Sequence, residues 1–280
     1  MATSEETLER ATTPAAPVPK PARRKRGWLL PTYTAVVIGY LFLPVLVMIV
    51  FGFNDHQGRF NLTWEGFTLR WYRELFTVPD LTLALKNSLI IATFSTVVAT
   101  AFGSLLALAL TRYRLIGRSA LNLSVFVPMS TPEVVMGASL LAFFVTIGLG
   151  RGFLTIIIAH ILFSISYVVV TVKARTSGFD RHLEDAAQDL GADGWTTFWT
   201  VTFPLIFPGI LAAGMLAFVL SIDDYVITSF NAGSTNTLPL WIYGATRIGV
   251  PAQVNVIGTG IFCLGLLYVL VALWRGRREG

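Results

Sequence analysis

Long apolar runs alternate with polar segments along most of this chain. The runs cover residues 29–53, 87–111, 119–147, 153–172, 209–230 and 253–274. Runs of more than about 18 apolar residues are typical of helices that span a membrane, not of helices in a soluble core. The pattern therefore predicts an all-α polytopic membrane protein with six transmembrane helices, whose membrane domain covers residues 29–274.

The segments outside the runs are polar. Residues 1–28 are rich in Ala, Pro, Thr and charge, with a basic cluster at 23–26, and we expect a disordered tail. A second short basic tail follows the last run, at residues 275–280. Residues 54–85 contain several aromatic side chains, and the sequence WEGFTLRWYRELF (64–76) predicts a short amphipathic helix at the membrane interface.

One polar stretch, residues 180–208, is much longer than a turn between two spans requires. It carries five acids in a chain that is otherwise apolar or basic, namely Asp180, Glu184, Asp185, Asp189 and Asp193. Its length and charge indicate a docking surface for a soluble partner.

Residues 180–190 of this stretch have helical character, because one face is apolar: Leu183, Ala186, Ala187 and Leu190. Asp180 can cap the N-terminus of this helix, and Gly191 stands where a glycine would end it. An apolar and aromatic segment, 195–203, follows, and Pro204 and Pro208 bracket the start of the fifth span. The small side chains would let another protein approach closely, and the flanking acids, including Glu184, would offer partners for its Arg or Lys.

Composition and charge place this stretch on one side of the membrane. Hydrophobic residues make up 54% of the chain and charged residues 13%, about half the charged share of a soluble domain. The net charge of +5 does not indicate nucleic-acid binding, because the basic residues lie at the ends of apolar runs. If the N-terminus is cytoplasmic, the inner segments hold fifteen Lys and Arg and the outer segments six. The count predicts that both termini and the polar stretch are cytoplasmic.

The spacing within the polar stretch resembles the Glu-Ala-Ala loop of binding-protein-dependent ABC importer permeases. Asp185-Ala186-Ala187 occupies the Glu-Ala-Ala positions, Gly191 the glycine, and Phe203-Pro204 the Leu-Pro pair. The resemblance implies a type I ABC importer permease fold and a coupling helix that fits a cleft on an ATP-binding subunit. The chain has no phosphate-binding G-x-x-x-x-G-K-[ST] motif. We therefore expect it to bind no cofactor and to be no enzyme, with ATP and Mg²⁺ held by a partner ATPase.

Three acids fall within apolar runs: Glu133, Asp223 and Asp224. No Lys or Arg falls within a predicted span, so these acids favour a cationic cargo. Glu133 and Asp223 each lie about 21 Å into a span at 1.5 Å per residue, which would place them at similar depth. In the alternative interpretation, Glu133 stabilises a break caused by Pro128 and Pro132, and the Asp pair binds backbone or a partner's Arg.

Adjacent residues on a helix point about 100° apart, so only one of the two aspartates should face the path. The sequence SIDDYVITSFNAGS, which includes Tyr225, is similar to the fifth span of the second permease subunit of spermidine/putrescine importers. The resemblance implies a pathway through Glu133, Asp223, Asp224 and Tyr225. It also implies a sister permease subunit, two copies of an ATP-binding subunit, an extracytoplasmic binding protein, and a bacterial inner (plasma) membrane location.

Other functions remain open on the residues alone. One alternative is an ABC permease for another small organic solute or cation. Another is a stand-alone secondary transporter that uses Asp223 or Asp224 as an ion relay, although the polar stretch argues against it. A membrane enzyme has no support, since no Cys/His metal spacing or nucleophile constellation is present in the sequence.

Overall fold

The computed structural model describes residues 28–113, 116–178, 180, 182–249 and 251–276, with side chains given as far as residue 267. Within these residues the regular elements are helical, apart from an isolated antiparallel bridge between Asn54 and Phe67. Most of the two predicted tails, and therefore their predicted disorder, lies outside the described residues. The α-helices in chain order are α1 (Leu29–Phe51), α2 (Arg70–Arg73), α3 (Pro79–Arg112), α4 (Arg118–Ser130), α5 (Glu133–Thr146), α6 (Phe153–Ser177), α7 (His182–Asp189), α8 (Gly194–Thr197), α9 (Phe203–Ile222), α10 (Val226–Asn231), α11 (Leu238–Ile248) and α12 (Ala252–Gly276).

The chain divides into two compact units, one that ends at Val47 and one that begins at Met48. The first contains most of α1, an apolar helix of 23 residues with Pro44 inside it. This helix confirms the first predicted span, although it ends two residues early. It ends because the Phe53 amide bonds to the Val50 carbonyl (3.0 Å), which tightens the chain into a turn.

Four helices of the described chain are long and apolar enough to cross a membrane, and a broken pair could make a fifth. The four are α1, α3, α6 and the continuous segment Gly194–Ile222, which includes α8, the π turn Phe198–Thr202 and α9. α12 coincides with the predicted sixth span, but its apolar part with described side chains, Ala252–Leu267, is shorter than a span. The all-helical membrane fold is confirmed. A count of six requires both the broken pair α4–α5 and α12 to span the membrane, and it stays a prediction.

The third predicted span is broken as Pro128 and Pro132 suggested, but much more sharply than a kinked span. The axes of α4 and α5 meet at 111° across Thr131 and Pro132. Pro132 cannot continue the hydrogen bonding of α4, and it keeps the residue before it extended. The depth calculated for Glu133 treated residues 119–147 as one straight helix, whereas Glu133 lies directly after the break.

The fifth span also differs from its prediction at both ends. Its helix does not begin at 209 but continues from the polar stretch, with Pro204 in the first turn of α9 and Pro208 inside it. It stops at Ile222 instead of 230, and α10 begins after a short break. The depth of Asp223 was counted from residue 209, whereas its helix begins at Phe203. A proline in the first turn of a helix removes no required donor, so Pro204 was a weak stop signal.

α3, α6 and α9 pack together at the centre of the second unit. Their shared core is built from small and β-branched side chains, joined by Val125 of α4: Ala107, Leu110, Val168, Val169, Val172, Ala213 and Ala217. A Cβ added to Gly103 of α3 would come within 2.7 Å of Val168 of α6. Small residues let helices approach closely, as in other membrane bundles. This packing brings the ends of α3 and α9 together beside the polar stretch.

The predicted amphipathic helix at 64–76 is mostly absent. Only α2 and a 3₁₀ turn at Leu75–Thr77 are helical there. The buried Asn54 side chain accepts a hydrogen bond from the Glu65 amide (2.7 Å) and donates to Asn61 Oδ1 (2.7 Å). These bonds hold the first half of the segment as a loop, because its amides are bonded to Asn54 and not to the carbonyls of a helical turn.

Candidate coupling loop and intramembrane acidic site

The predicted helix of the polar stretch is present as α7, with both predicted caps. Asp180 Oδ1 accepts a hydrogen bond from the His182 amide (3.0 Å). Gly191 has a φ of +91°, a conformation that glycine adopts at little cost. The Gly191 amide bonds to Gln188 O (2.9 Å) and the Ala192 amide to Ala187 O (3.1 Å), which together form a Schellman C-cap.

The apolar residues of α7 are not covered by the rest of the described chain. Leu183 is 50% exposed and Leu190, just past the helix, is 90% exposed. Ala186 and the Asp185 carboxylate are also exposed to solvent. Exposed leucines beside a carboxylate are typical of a surface that another protein covers. Below we call Leu183, Asp185, Ala186 and Leu190 the docking face.

Glu184 does not belong to this face, contrary to the prediction that it offers a partner to another protein. Its side chain is only 12% exposed and pairs with the Arg112 guanidinium at the end of α3. Its second carboxylate oxygen accepts a hydrogen bond from Thr202 Oγ1 in the π turn. Glu184 therefore ties α7 to the ends of two spans. Arg112 is 72 positions away in sequence, so no local pattern could have indicated the pair.

The loop then re-enters the bundle through α8 and the π turn. Asp193 caps α8 by accepting from the Thr196 amide (2.9 Å), and its hydrogen bonds with Thr196 lower the pKa of Asp193. The Phe203 amide bonds back to Phe198 O, five residues earlier, just before Pro204. Pro204 has no amide proton, and the wider turn accommodates that loss. The Phe-Pro pair thus marks a change of helix type inside a continuous segment.

The two adjacent aspartates lie in the break between α9 and α10, and their side chains have different surroundings. Asp223 follows Ile222 directly and is exposed. Asp224 is 6% exposed, and its Oδ2 accepts from the Thr228 amide and hydroxyl, both at 2.7 Å. Asp224 therefore caps α10, which matches the alternative interpretation that an aspartate of this pair binds backbone. The expectation that only one of the pair is free to face a path is consistent with this arrangement, and Asp223 is that residue.

His160 of α6 contacts the helices on both sides of the same break. Its Nδ1 lies 2.7 Å from Ser221 Oγ, and its Nε2 lies 2.9 Å from Thr228 Oγ1 and 3.3 Å from Asp224 Oδ2. The ring is 2% exposed. His160 is therefore a buried packing residue with polar contacts on both ring nitrogens.

Glu133 is the first residue of α5, directly after Pro132, and is exposed. α5 and α10 each follow a break in a span, and the two helices pack against one another. A Cβ added to Gly137 would lie 2.7 Å from the Phe230 ring. The structure thus brings the two broken spans together through the packing of α5 against α10.

Tyr225 belongs to an aromatic cluster that the sequence did not indicate. Its ring centroid lies 4.5 Å from that of Tyr243 in α11. The Arg247 guanidinium lies 4.7 Å from the Tyr243 ring centroid and donates to the Tyr243 hydroxyl. Arg247 is one of the six basic residues counted in the outer segments. Its spacing of four residues from Tyr243 on one helix was the available signal.

The fold and the loop define a class, that of all-helical permeases with the type I ABC importer fold. The chain belongs to the family of binding-protein-dependent transport system inner membrane components, whose pattern matches residues 99–277. Membership confirms the resemblance drawn from the spacing of Asp185, Gly191 and Pro204.

Three curated relatives show which members of this family the chain resembles. The spermidine/putrescine transport system permease protein PotC of Escherichia coli K12 is 39% identical over 241 residues, covering 86% of this chain and 90% of PotC. PotC of Haemophilus influenzae is 37% identical over 248 residues, covering 88% and 96%. The putrescine transport system permease protein PotI of E. coli K12 is 35% identical over 234 residues, covering 80% and 83%.

Solved structures agree on the fold. A bacterial ABC transporter involved in the import of the acidic polysaccharide alginate aligns with a TM-score of 0.60 at 17% identity, covering 93% of this chain and 99% of the other. The bacterial alginate ABC transporter in complex with a pentasaccharide-bound periplasmic protein aligns with a TM-score of 0.63 at 21% identity, covering 91% and 96%. At these identities the comparison concerns architecture alone.

Proposed function

We propose that this chain is a transmembrane permease subunit of an ATP-driven importer that carries the polyamines spermidine and putrescine into the cell. The observation that carries the proposal is the 39% identity to a spermidine/putrescine permease over 86% of the chain. The exposed Asp223 carboxylate, set in a break within an apolar span, agrees with an amine cargo.

The energy for transport would come from a separate ATPase through α7. Its docking face presents Leu183 and Leu190 with the Asp185 carboxylate beside them. We expect a cleft on an ATP-binding subunit to cover this face, with its Arg or Lys paired to Asp185. Movement of the cleft would pass through Glu184 to Arg112 and Thr202, and so to the ends of α3 and α9.

The assembly we propose contains this chain, a sister permease, two ATP-binding subunits and an extracytoplasmic binding protein. ATP and Mg²⁺ would be held by the ATP-binding subunits. The count of fifteen inner against six outer Lys and Arg supports cytoplasmic termini in a bacterial inner membrane.

For the cargo path we propose Asp223 and Tyr225 as contacts, with Glu133 at the neighbouring break. A carboxylate and an aromatic face are the groups that attract an alkylammonium ion. Arg247 lies over the ring of Tyr243, so we assign the aromatic contact to Tyr225. We do not include Asp224 in this path, because its carboxylate accepts hydrogen bonds from Thr228 and lies beside the His160 ring.

The proposal is tested by uptake of radiolabelled putrescine and spermidine in cells that lack polyamine importers and express the four components. Uptake should require this chain and should stop when the catalytic site of the ATPase is disabled. Unlabelled polyamine should compete, whereas an anionic solute should not. Uptake that continues with the disabled ATPase would support a secondary transporter instead. Failure to take up either polyamine by an assembled complex would overturn the cargo assignment.

A further inference from the structure

A continuous chain of hydrogen bonds runs through the apolar centre of the second unit. It links Ser95 of α3 to Ser221 of α9 (3.1 Å), Ser221 to His160 of α6 (2.7 Å), and His160 to Thr228 of α10 (2.9 Å). Thr228 then donates to the Asp224 carboxylate (2.7 Å). Ser95, His160, Ser221 and Thr228 are each at most 5% exposed. We call these five residues the polar chain.

The donors and acceptors of the polar chain fit together from Asp224 to Ser221. The single proton of the Thr228 hydroxyl is given to Asp224, so its oxygen accepts from His160 and the ring proton is assigned to Nε2. The opposite nitrogen, Nδ1, can then accept from the Ser221 hydroxyl, whose oxygen lies 3.1 Å from Ser95 Oγ. The single Ser95 proton is divided between Ser221 and the Ile91 carbonyl, which lies 2.7 Å away. A hydrogen-bonded network shielded from water is stronger than its separate bonds would be in water.

His160 contacts both sides of the break in the fifth span. Ser221 is the second-last residue of α9, and Thr228 lies in α10. The break exposes backbone groups that a lipid environment cannot satisfy, and such groups are tolerated only when protein or water satisfies them. Here Asp224 supplies acceptors to α10, while His160 holds α9 and α10 to a third helix. One imidazole ring therefore bonds to residues on both sides of the break.

Asp223 and Tyr225 lie in that same break, one on each side of the buried Asp224. Both are covalently joined to Asp224. Their directions therefore depend on how Asp224 and the flanking helices are held.

We infer that His160 is a positioning residue for the cargo: through Ser221, Thr228 and Asp224 it fixes the break so that Asp223 and Tyr225 face the transport path. The inference deepens the proposed function and rests on it for its transport readout. Its chemical basis is that two well-aimed groups bind an alkylammonium ion more tightly than two groups whose directions vary.

The transport test compares His160→Phe, Ser221→Ala and Thr228→Val with a matched control. Ser164→Ala is that control, because Ser164 is a fully buried serine on the same helix whose hydroxyl has no hydrogen-bond partner among the described residues. Labelled putrescine uptake is measured per assembled complex. We expect KM to rise about tenfold in His160→Phe and several-fold in the other two, with Vmax within about twofold of wild type. Ser164→Ala should match wild type.

Two results would overturn the inference. One is a KM in His160→Phe no higher than in Ser164→Ala. The other is a fall in Vmax and thermal stability with an unchanged KM, which would make the polar chain a support for the fold alone.

A second measurement does not depend on the cargo, so it separates failure of this inference from failure of the proposed function. Spin labels are placed on Leu211→Cys of α9 and Ser229→Cys of α10, both exposed, in a Cys263→Ser background that removes the single native cysteine. Electron–electron resonance in the assembled complex should give a narrow distance distribution with His160 and a broad one with His160→Phe. An equally narrow distribution in both would overturn the inference even if polyamines are transported, and broadening would support it whatever the cargo is.

Discussion

The Glu184 carboxylate of α7 pairs with the Arg112 guanidinium at the last residue of α3, and both side chains are largely buried. The same carboxylate accepts from Thr202 in the π turn. The short helix α7 is thereby bonded to the ends of two spans. A displacement of α7 would therefore also displace the ends of α3 and α9.

Glu184→Ala should uncouple the loop and destabilise the complex. Removing one partner of a buried ion pair leaves the other charge uncompensated, at a cost of about 3–5 kcal/mol. We expect a lower melting temperature and loss of uptake. Asp189→Ala is the control, since Asp189 is an exposed acid on the same helix. Equal effects of the two substitutions would show that the anchor contributes nothing specific.

Leu190→Asp should weaken the docking face without unfolding the chain. Leu190 is 90% exposed, so a charge there costs nothing within this chain but opposes burial against a partner. We expect the ATP-binding subunit to be lost from affinity-purified complexes, while the yield and melting temperature of the permease pair stay unchanged. Retention of the ATPase at wild-type stoichiometry would place the docking surface elsewhere.

Gly191→Ala should shift or fray the end of α7. The φ of +91° costs a side-chain-bearing residue about 1 kcal/mol or more, and no neighbouring atom lies within 4 Å to add a steric contribution. Gly194→Ala is a matched control, because a Cβ there also meets nothing within 4 Å and its φ is not positive. Stimulation of ATP hydrolysis by loaded binding protein should fall in Gly191→Ala only. A parallel fall in both variants would rule out the conformational explanation.

Replacement by asparagine should have different effects at the two aspartates. Asp223→Asn should raise the KM for polyamine more than tenfold at unchanged stability, because a charge-assisted contact of about 1.5–3 kcal/mol is lost. Asp224→Asn should lower the melting temperature, because Thr228 loses its charged acceptor. Uptake kinetics and thermal unfolding of the single and double variants distinguish the two roles. If Asp223→Asn left KM unchanged, the acidic path would be wrong.

The sequence predicted the features that depend on local patterns. Apolar length marked most of the spans, and Asp180 and Gly191 marked the ends of α7 because capping is set by a few consecutive residues. The sequence also indicated the break at Pro132, but not its angle of 111°, which depends on what the two helices pack against.

Features that depend on distant contacts were missed or misassigned. Glu184 looked like one more docking acid, because its partner Arg112 lies in another helix. Asp224 looked like a pathway residue, because the bonds from Thr228 and His160 form only when the fifth span breaks. A charge in an apolar run signals that a partner is needed, but it does not say whether that partner is cargo or protein.

The most direct test of the account is accumulation of labelled spermidine in proteoliposomes that contain the purified permease pair, the ATP-binding subunit and loaded binding protein. With ATP supplied on the side of the ATP-binding subunit, spermidine should accumulate against its gradient. Accumulation should cease when ATP is omitted or when Leu190→Asp replaces the wild-type chain. Accumulation that persists without ATP, or that proceeds normally with Leu190→Asp, would contradict an importer driven through α7.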